Sequence, residues 1–237
     1  IRVAGLPPKE DADAIIPRHL VDLSVGREVA QVGPEVWGVD VARMGNDRSA
    51  LAKRRGNVMT EPIKYWREKD AIQLSALIRE EYDCAAVKPV EICIDVIGVG
   101  AGVVDICAST HNLPVRGVNV AERPAIHSDK YERLRDELWF QMKEWFGGYQ
   151  CSLPKAQSED VEKLMDVFID EMTSPRFAFT PSGKLKVESK PQMKARGLKS
   201  PDLAEAFLMT FASQSTGERS NAWYSDAPIE VDHTGVF

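Results

Sequence analysis

The segment Val36-Trp37-Gly38-Val39-Asp40-Val41-Ala42 constrains the rest of the chain more than any other. It reads as a short buried strand, yet it carries a carboxylate near its end and then breaks into the turn Gly45-Asn46-Asp47, which adds a second acid. Acids inside apolar strands are uncommon, and desolvating a carboxylate is costly unless a cation or hydrogen-bond donors compensate. Asp40 therefore calls for a fold that brings it a partner. A divalent cation shared with other carboxylates is one such partner.

A second apolar run, residues 90–96, repeats the pattern with Asp95 near its end. Adjacent parallel strands would set Asp40 and Asp95 side by side at the carboxyl edge of the sheet, where α/β proteins bind ligands. Strands are expected over 36–42, 48–54 and 57–66, joined by turns at 45–47 and 55–57 into a meander. The stripe Ile72, Leu74, Leu77, Ile78 and Tyr82 predicts a helix over 69–82, and Gly98, Gly100 and Gly102 turn the chain into another over 102–111, followed by a strand over 115–120.

Two long amphipathic helices follow, over 128–146 and 158–172. Their aromatics, Tyr131, Trp139 and Trp145 among them, fit a core better than a base-stacking platform. A hairpin is expected from 176–180 and 184–188 around Pro181-Ser182-Gly183. A last helix should run to about 213, with Ser200 as its cap and Pro201 as its first residue. The expected fold class is α/β: a mixed sheet built from a three-stranded meander and alternating helices and parallel strands, covered on both faces, with an extra hairpin near the C-terminal helix.

Residues 1–34 read as a linker-like lead-in without a core of its own, although Ile15, Ile16, Leu20, Val21 and Leu23 are placed to dock on the main body. Residues 35–213 form that body, and 214–237 a polar tail.

The last helix supplies the remaining acids, Asp202 in its first turn and Glu205 on the same face. Each has an ordinary reading: Asp202 complements the helix dipole, Glu205 is a solvated helix acid, and Asp47 is a turn residue. The 237 residues include four cysteines without a CxxC pair and four dispersed histidines, so neither a zinc site nor a histidine dyad is visible. A carboxylate-only set suits Mg²⁺ or Mn²⁺, and two such ions about 3.5–4 Å apart can clamp both oxygens of a phosphodiester displacement.

The net charge of −6 argues mildly against general nucleic-acid affinity, but charge is unevenly placed. Between 184 and 199 six basic residues (Lys184, Lys186, Lys190, Lys194, Arg196 and Lys199) face one acid, Glu188, directly ahead of Asp202. That stretch suits tracking of DNA phosphates.

Three segments resemble the nuclease domain of the large terminase subunit of tailed double-stranded DNA bacteriophages, within the RNase H-like, retroviral integrase-like superfamily. Gly38-Val39-Asp40-Val41-Ala42-Arg43-Met44-Gly45-Asn46-Asp47 resembles the first acidic motif, and Ile94-Asp95-Val96-Ile97-Gly98-Val99-Gly100 the second. Glu188-Ser189-Lys190, Met193-Lys194, Arg196-Gly197 and Ser200-Pro201-Asp202-Leu203-Ala204-Glu205-Ala206 resemble the third with its preceding hairpin.

The resemblance implies an RNase H-like fold and an endonuclease that cleaves concatemeric double-stranded DNA at initiation and termination of packaging. It implies Asp40, Asp95 and Asp202 as catalytic metal-binding acids, Asp47 and Glu205 as auxiliary acids, two Mg²⁺ or Mn²⁺ ions, and Lys190 at the scissile strand. Glu205 stands where a shorter Asp is commoner in that family. The implied partners are the portal protein, the small terminase subunit and the packaging ATPase domain of the same polypeptide, in the host bacterial cytoplasm. The phosphate-binding motif G-x-x-x-x-G-K-[ST] of that ATPase does not occur in this sequence.

Three other readings stand beside this one. A resolvase-type RNase H-like nuclease would share the acids, and a non-catalytic docking module would keep the fold alone. A dinucleotide-binding domain would use the glycines after 90–96, with Glu122 about 20 residues on; the pattern there is G-x-G-x-G and the strand ends in an acid.

Overall fold

The computed structural model describes residues 13–42 and 47–214. Strand β1 (Glu35–Asp40) pairs antiparallel with β2 (Arg48–Arg55), whose outer edge is shared by β3 (Val58–Met59) and β4 (Lys64–Arg67). The expected single strand over 57–66 is thus two short ones. Pro62 lies between them, has no N–H for the ladder, and marks where the chain leaves the sheet. On the other side of β1, β5 (Glu91–Asp95) and β6 (Val115–Val118) pair in parallel, giving the order β3-β2-β1-β5-β6 with β4 also on β2.

The helices follow from the alternation of side chains along these strands. Trp37, Val39, Ile92 and Ile94 are fully buried on one face against Leu74 and Ile78 of α2 (Ala71–Cys84) and Val103 and Cys107 of α3 (Gly100–Ser109). Ala50, Ala52 and Cys93 belong to the opposite core. There they meet α4 (Leu134–Gly147), α5 (Glu159–Thr173) and α7 (Asp202–Met209), the last continued by a 3₁₀ turn over Thr210–Ala212. A small hairpin, β7 (Phe177–Phe179) with β8 (Leu185–Val187), is tied to α4 through Asp136, which accepts from the Val187 N–H at 2.8 Å.

Residues 13–34 are more ordered than a linker. They contain α1 (Arg18–Asp22), and Ile15, Ile16 and Val21 are fully buried in the α4–α5 core as docking residues, whereas Leu23 is exposed. One further expectation is corrected. The helix expected from 128 starts at Leu134, because the stretch before it is a loop held by Glu137, whose carboxylate accepts from the N–H groups of Ala125, Ile126 and His127. A short helix, α6 (Lys190–Ala195), also follows the hairpin. Ser189 and Gln192 form its reciprocal capping box, a local signature present in the sequence.

α7 lies unusually close to the sheet. A β-carbon on Gly38 would sit 2.1 Å from the Ala206 carbonyl oxygen and 2.7 Å from the Thr210 nitrogen, so the helix backbone rests on β1. Ala50, Ala52, Ala204 and Ala206, all fully buried, keep the same contact thin. Phe207 stacks edge to face on Trp145, Phe168 and Phe211 at 5.4–5.7 Å between ring centres, contacts worth about 0.5–1.5 kcal/mol each beyond burial. At the far end, the fully buried Arg54 donates to both the Thr210 carbonyl and its hydroxyl, placing a cation where the helix dipole favours one.

Candidate active site

Three elements converge at one edge of the sheet. Continuing the parallel register Val39↔Ile94 by one residue sets Asp40 beside Asp95, at the carboxyl ends of β1 and β5. Because Gly38 admits the backbone of α7, the first turn of that helix arrives at the same edge with Asp202 and Glu205. Asp40, Asp202 and Glu205 are all buried, and Asp95 is half-buried. A carboxylate in a strand was the feature in need of a partner; its neighbours prove to be three more carboxylates and one lysine.

The electrostatics follow from that grouping. Burial pushes the Asp40 carboxyl well above the ordinary carboxylate range. Lys190 pulls it back, while Glu205, Asp202 and Asp95 add to the rise. Asp95 is also raised, by burial first, and the Ile97 N–H that it accepts at 3.0 Å opposes this. Glu205 goes the other way: burial would raise it, but Arg135 and Lys190 together hold it down. Lys190 Nζ lies 2.5 Å and Arg135 Nη2 2.9 Å from the two Glu205 oxygens. Burial works against the charge on Lys190, and Glu205 and Asp40 more than offset it, so its pKa is raised.

The sequence-predicted residues therefore divide. Asp40, Asp95, Asp202 and Glu205 come together, with Lys190 among them. Asp47 is exposed and lines the cleft that also reaches Asp202. Lys194 and Lys199 line that cleft too, while Lys186 is exposed on β8 and Lys184 half-buried just ahead of it. Arg196 is exposed but engaged, ion-paired with Glu188 at 2.9 Å and donating to the Ser174 carbonyl at 2.8 Å. Arg43 to Asn46, inside the first motif, lie outside the described residues.

Three functional side chains escape a reading of the sequence. α7 begins at Asp202 with Pro201 at the cap position, not Ser200, and Pro201 offers no side-chain acceptor. The acceptor comes from α5: Glu171 takes the N–H groups of Leu203 at 2.7 Å and Ala204 at 3.3 Å and is ion-paired with Arg48. Arg48 in turn donates its backbone N–H to Asp202 Oδ2 at 3.1 Å. Burial pushes Glu171 up to about 7, with Arg48 and the two N–H groups opposing. Arg135, which grips Glu205, also donates to the Glu188 carbonyl at 3.0 Å, so α4, β8 and α7 meet at one guanidinium. No local hint of this stands in the sequence, because Ser200 offered an apparent cap that the structure does not use.

The donor chemistry fits a hard divalent cation, being all oxygen and anionic, with Asp40 raised because it is buried among other carboxylates and short of positive charge. Among the described residues, however, no group of three or more His, Cys, Asp or Glu side chains is arranged to close round an ion, and Glu205 is already engaged by Lys190 and Arg135.

No protein-family model matches the chain, and no curated protein matches it in sequence. Solved structures do. The nuclease domain of the large terminase subunit gp2 of bacterial virus Sf6 superposes with a TM-score of 0.69 at 20% identity, over 84% of this chain and 98% of that one. A point mutant of the same domain with manganese and β-thujaplicinol gives 0.70 at 20% identity, with the same coverage. The large terminase nuclease of thermophilic phage G20c with bound magnesium gives 0.58 at 11% identity, over 87% and 99%. The chain has the fold of the nuclease domains of phage large terminase subunits.

Proposed function

We propose that this chain is the metal-dependent endonuclease domain of a phage large terminase subunit, cleaving double-stranded DNA during genome packaging. One observation carries the proposal: on a fold shared with terminase nucleases, the three motif acids Asp40, Asp95 and Asp202 gather at one sheet edge. The Sf6 and G20c domains were solved with manganese and with bound magnesium, respectively, which supports divalent ions here.

Asp40, Asp95 and Asp202 would hold two such ions, with Glu205 and Asp47 as auxiliary acids. When bound, the ions would supply an activated water and charge stabilisation for the leaving 3′ oxygen. The chain's own residues do the rest. Asp40 and Asp95, disfavoured as anions by burial, gain most from positive charge. Lys190, kept protonated by Glu205 and Asp40, presents a fixed cation to a phosphate oxygen. Arg135 and the Glu171–Arg48 clamp hold Glu205 and Asp202 in place. Lys184, Lys186, Lys194 and Lys199 offer sequence-independent phosphate contacts. On this reading residues 35–213 carry the nuclease motifs, and residues 13–34 pack into the same core. Its partners would be DNA, the portal, the small subunit and an ATPase domain of the same polypeptide in the host cytoplasm.

Plasmid digestion tests this. The parent should nick and linearise supercoiled DNA with Mg²⁺ or Mn²⁺ and not with EDTA, and Asp40→Asn or Asp95→Asn should reduce cleavage at least about 100-fold. Cleavage that survives EDTA or both substitutions would overturn the proposal.

A further inference from the structure

A cleft of about 960 Å³ opens from Asp202 along the outer edge of the sheet. One side of it is β4, where Tyr65 and Arg67, two residues apart, share a face of the strand. The register sets Arg67 opposite Arg48 and Tyr65 opposite Ala50. The guanidinium carbons of Arg48 and Arg67 lie 5.7 Å and 5.8 Å from the centre of the ring of Tyr65, a residue that remains 40% exposed. Arg48 is spent on Glu171 and serves to fix the ring; Arg67 is exposed.

Lys194 and Lys199 line the same cleft from α6 and the loop before α7. The α5 wall is mixed, carrying Asp160 and Asp170 with Lys163 between them, so the β4 and α6 sides hold the cations without neighbouring acids.

An exposed aromatic ring with cations beside it can stack on a base, and a base inside a duplex has no free face to offer. We propose that this cleft is a subsite for unpaired nucleotides of the strand passing through the acidic site. One base stacks on Tyr65, and the flanking phosphates lie against Arg67, Lys194 and Lys199. The identity of that strand as substrate rests on the nuclease reading; the stacking site itself does not.

Fluorescence anisotropy with a labelled single-stranded oligothymidine in EDTA reads the site without metal or cleavage, and a labelled blunt duplex serves as the comparison. Tyr65→Leu keeps bulk on the strand but removes the plane, and should weaken oligothymidine binding by about 5- to 100-fold while duplex binding changes by less than about 2-fold. Tyr65→Phe should bind both as the parent does, and Arg67→Ala should reduce the salt dependence of oligothymidine binding by about one phosphate contact. Failure of the parent to bind oligothymidine, equal binding by Tyr65→Leu, or an equal loss on duplex would each overturn the subsite. Plasmid cleavage by the parent with Mn²⁺ reports separately on the nuclease reading, so the two can fail independently.

Discussion

Glu171 offers the sharpest test of how the acidic edge is held. Its carboxylate is the only side-chain cap found for the first turn of α7 among the described residues, and it also neutralises Arg48, whose side chain is 11% exposed. Glu171→Ala therefore does two things at once. It breaks a buried ion pair and leaves the Arg48 guanidinium with only the longer 3.9 Å contact to Asp202, a change of the kind that typically costs about 3–5 kcal/mol. It also removes a helix cap, worth about 1 kcal/mol. The expected loss is about 4–6 kcal/mol, a large share of the stability of any natural domain.

Glu171→Gln keeps an oxygen for the Leu203 and Ala204 N–H groups and gives up only the charge, so it should cost about 2 kcal/mol. Removing both partners, with Glu171→Ala and Arg48→Met together, should cost less than the two single changes summed, because no buried charge is then stranded. Urea unfolding gives all four values. A Glu171→Ala protein within about 1 kcal/mol of the parent, or strict additivity with Arg48→Met, would refute the clamp.

Other consequences are as direct. Gly38→Ala should destabilise by at least about 3 kcal/mol in urea unfolding and abolish cleavage, since its β-carbon would meet the Ala206 carbonyl oxygen at 2.1 Å. Glu137→Ala, which strands the N–H groups of Ala125, Ile126 and His127, should cost about 2–3 kcal/mol and expose the loop before α4 to limited proteolysis. Asp40 binds its proton more tightly folded than unfolded, so its contribution to stability is complete below the ordinary aspartate range and is lost as pH rises through the raised folded value. Without metal, Asp40→Asn should therefore be more stable than the parent by a margin that grows with pH, and added Mn²⁺ should narrow or reverse it. A margin that shrinks with pH would contradict this sign.

Much of the sheet was legible because its strands are short apolar runs with turn residues between them, and the two acids near the ends of β1 and β5 were visible as exceptions to that pattern. Their pairing followed from one assumption, that the strands are parallel neighbours. What the sequence did not reveal depends on contacts between distant residues. Glu171 looks like one more acid on the polar side of α5 until α7 is packed against it, and Arg48 looks like a solvated residue after a turn. Arg135 gives no local sign that it will reach Glu205. The splitting of 57–66 was readable from Pro62, and α6 from Ser189 and Gln192; both signals were outweighed by the longer hydrophobic and basic patterns around them. The basic stretch was seen as one surface, yet its members diverge: Lys190 turns into the acids, Arg196 pairs with Glu188, and Lys194 and Lys199 face the cleft.

On the proposed nuclease reading, Asp40, Asp95 and Asp202 hold the metal ions. Anomalous diffraction from crystals soaked in Mn²⁺ addresses it without any assay of activity. Manganese peaks are expected about 2 Å from carboxylate oxygens of Asp40, Asp95 and Asp202, and should be lost in Asp40→Asn crystals. Peaks found only elsewhere, or unchanged in Asp40→Asn, would contradict it.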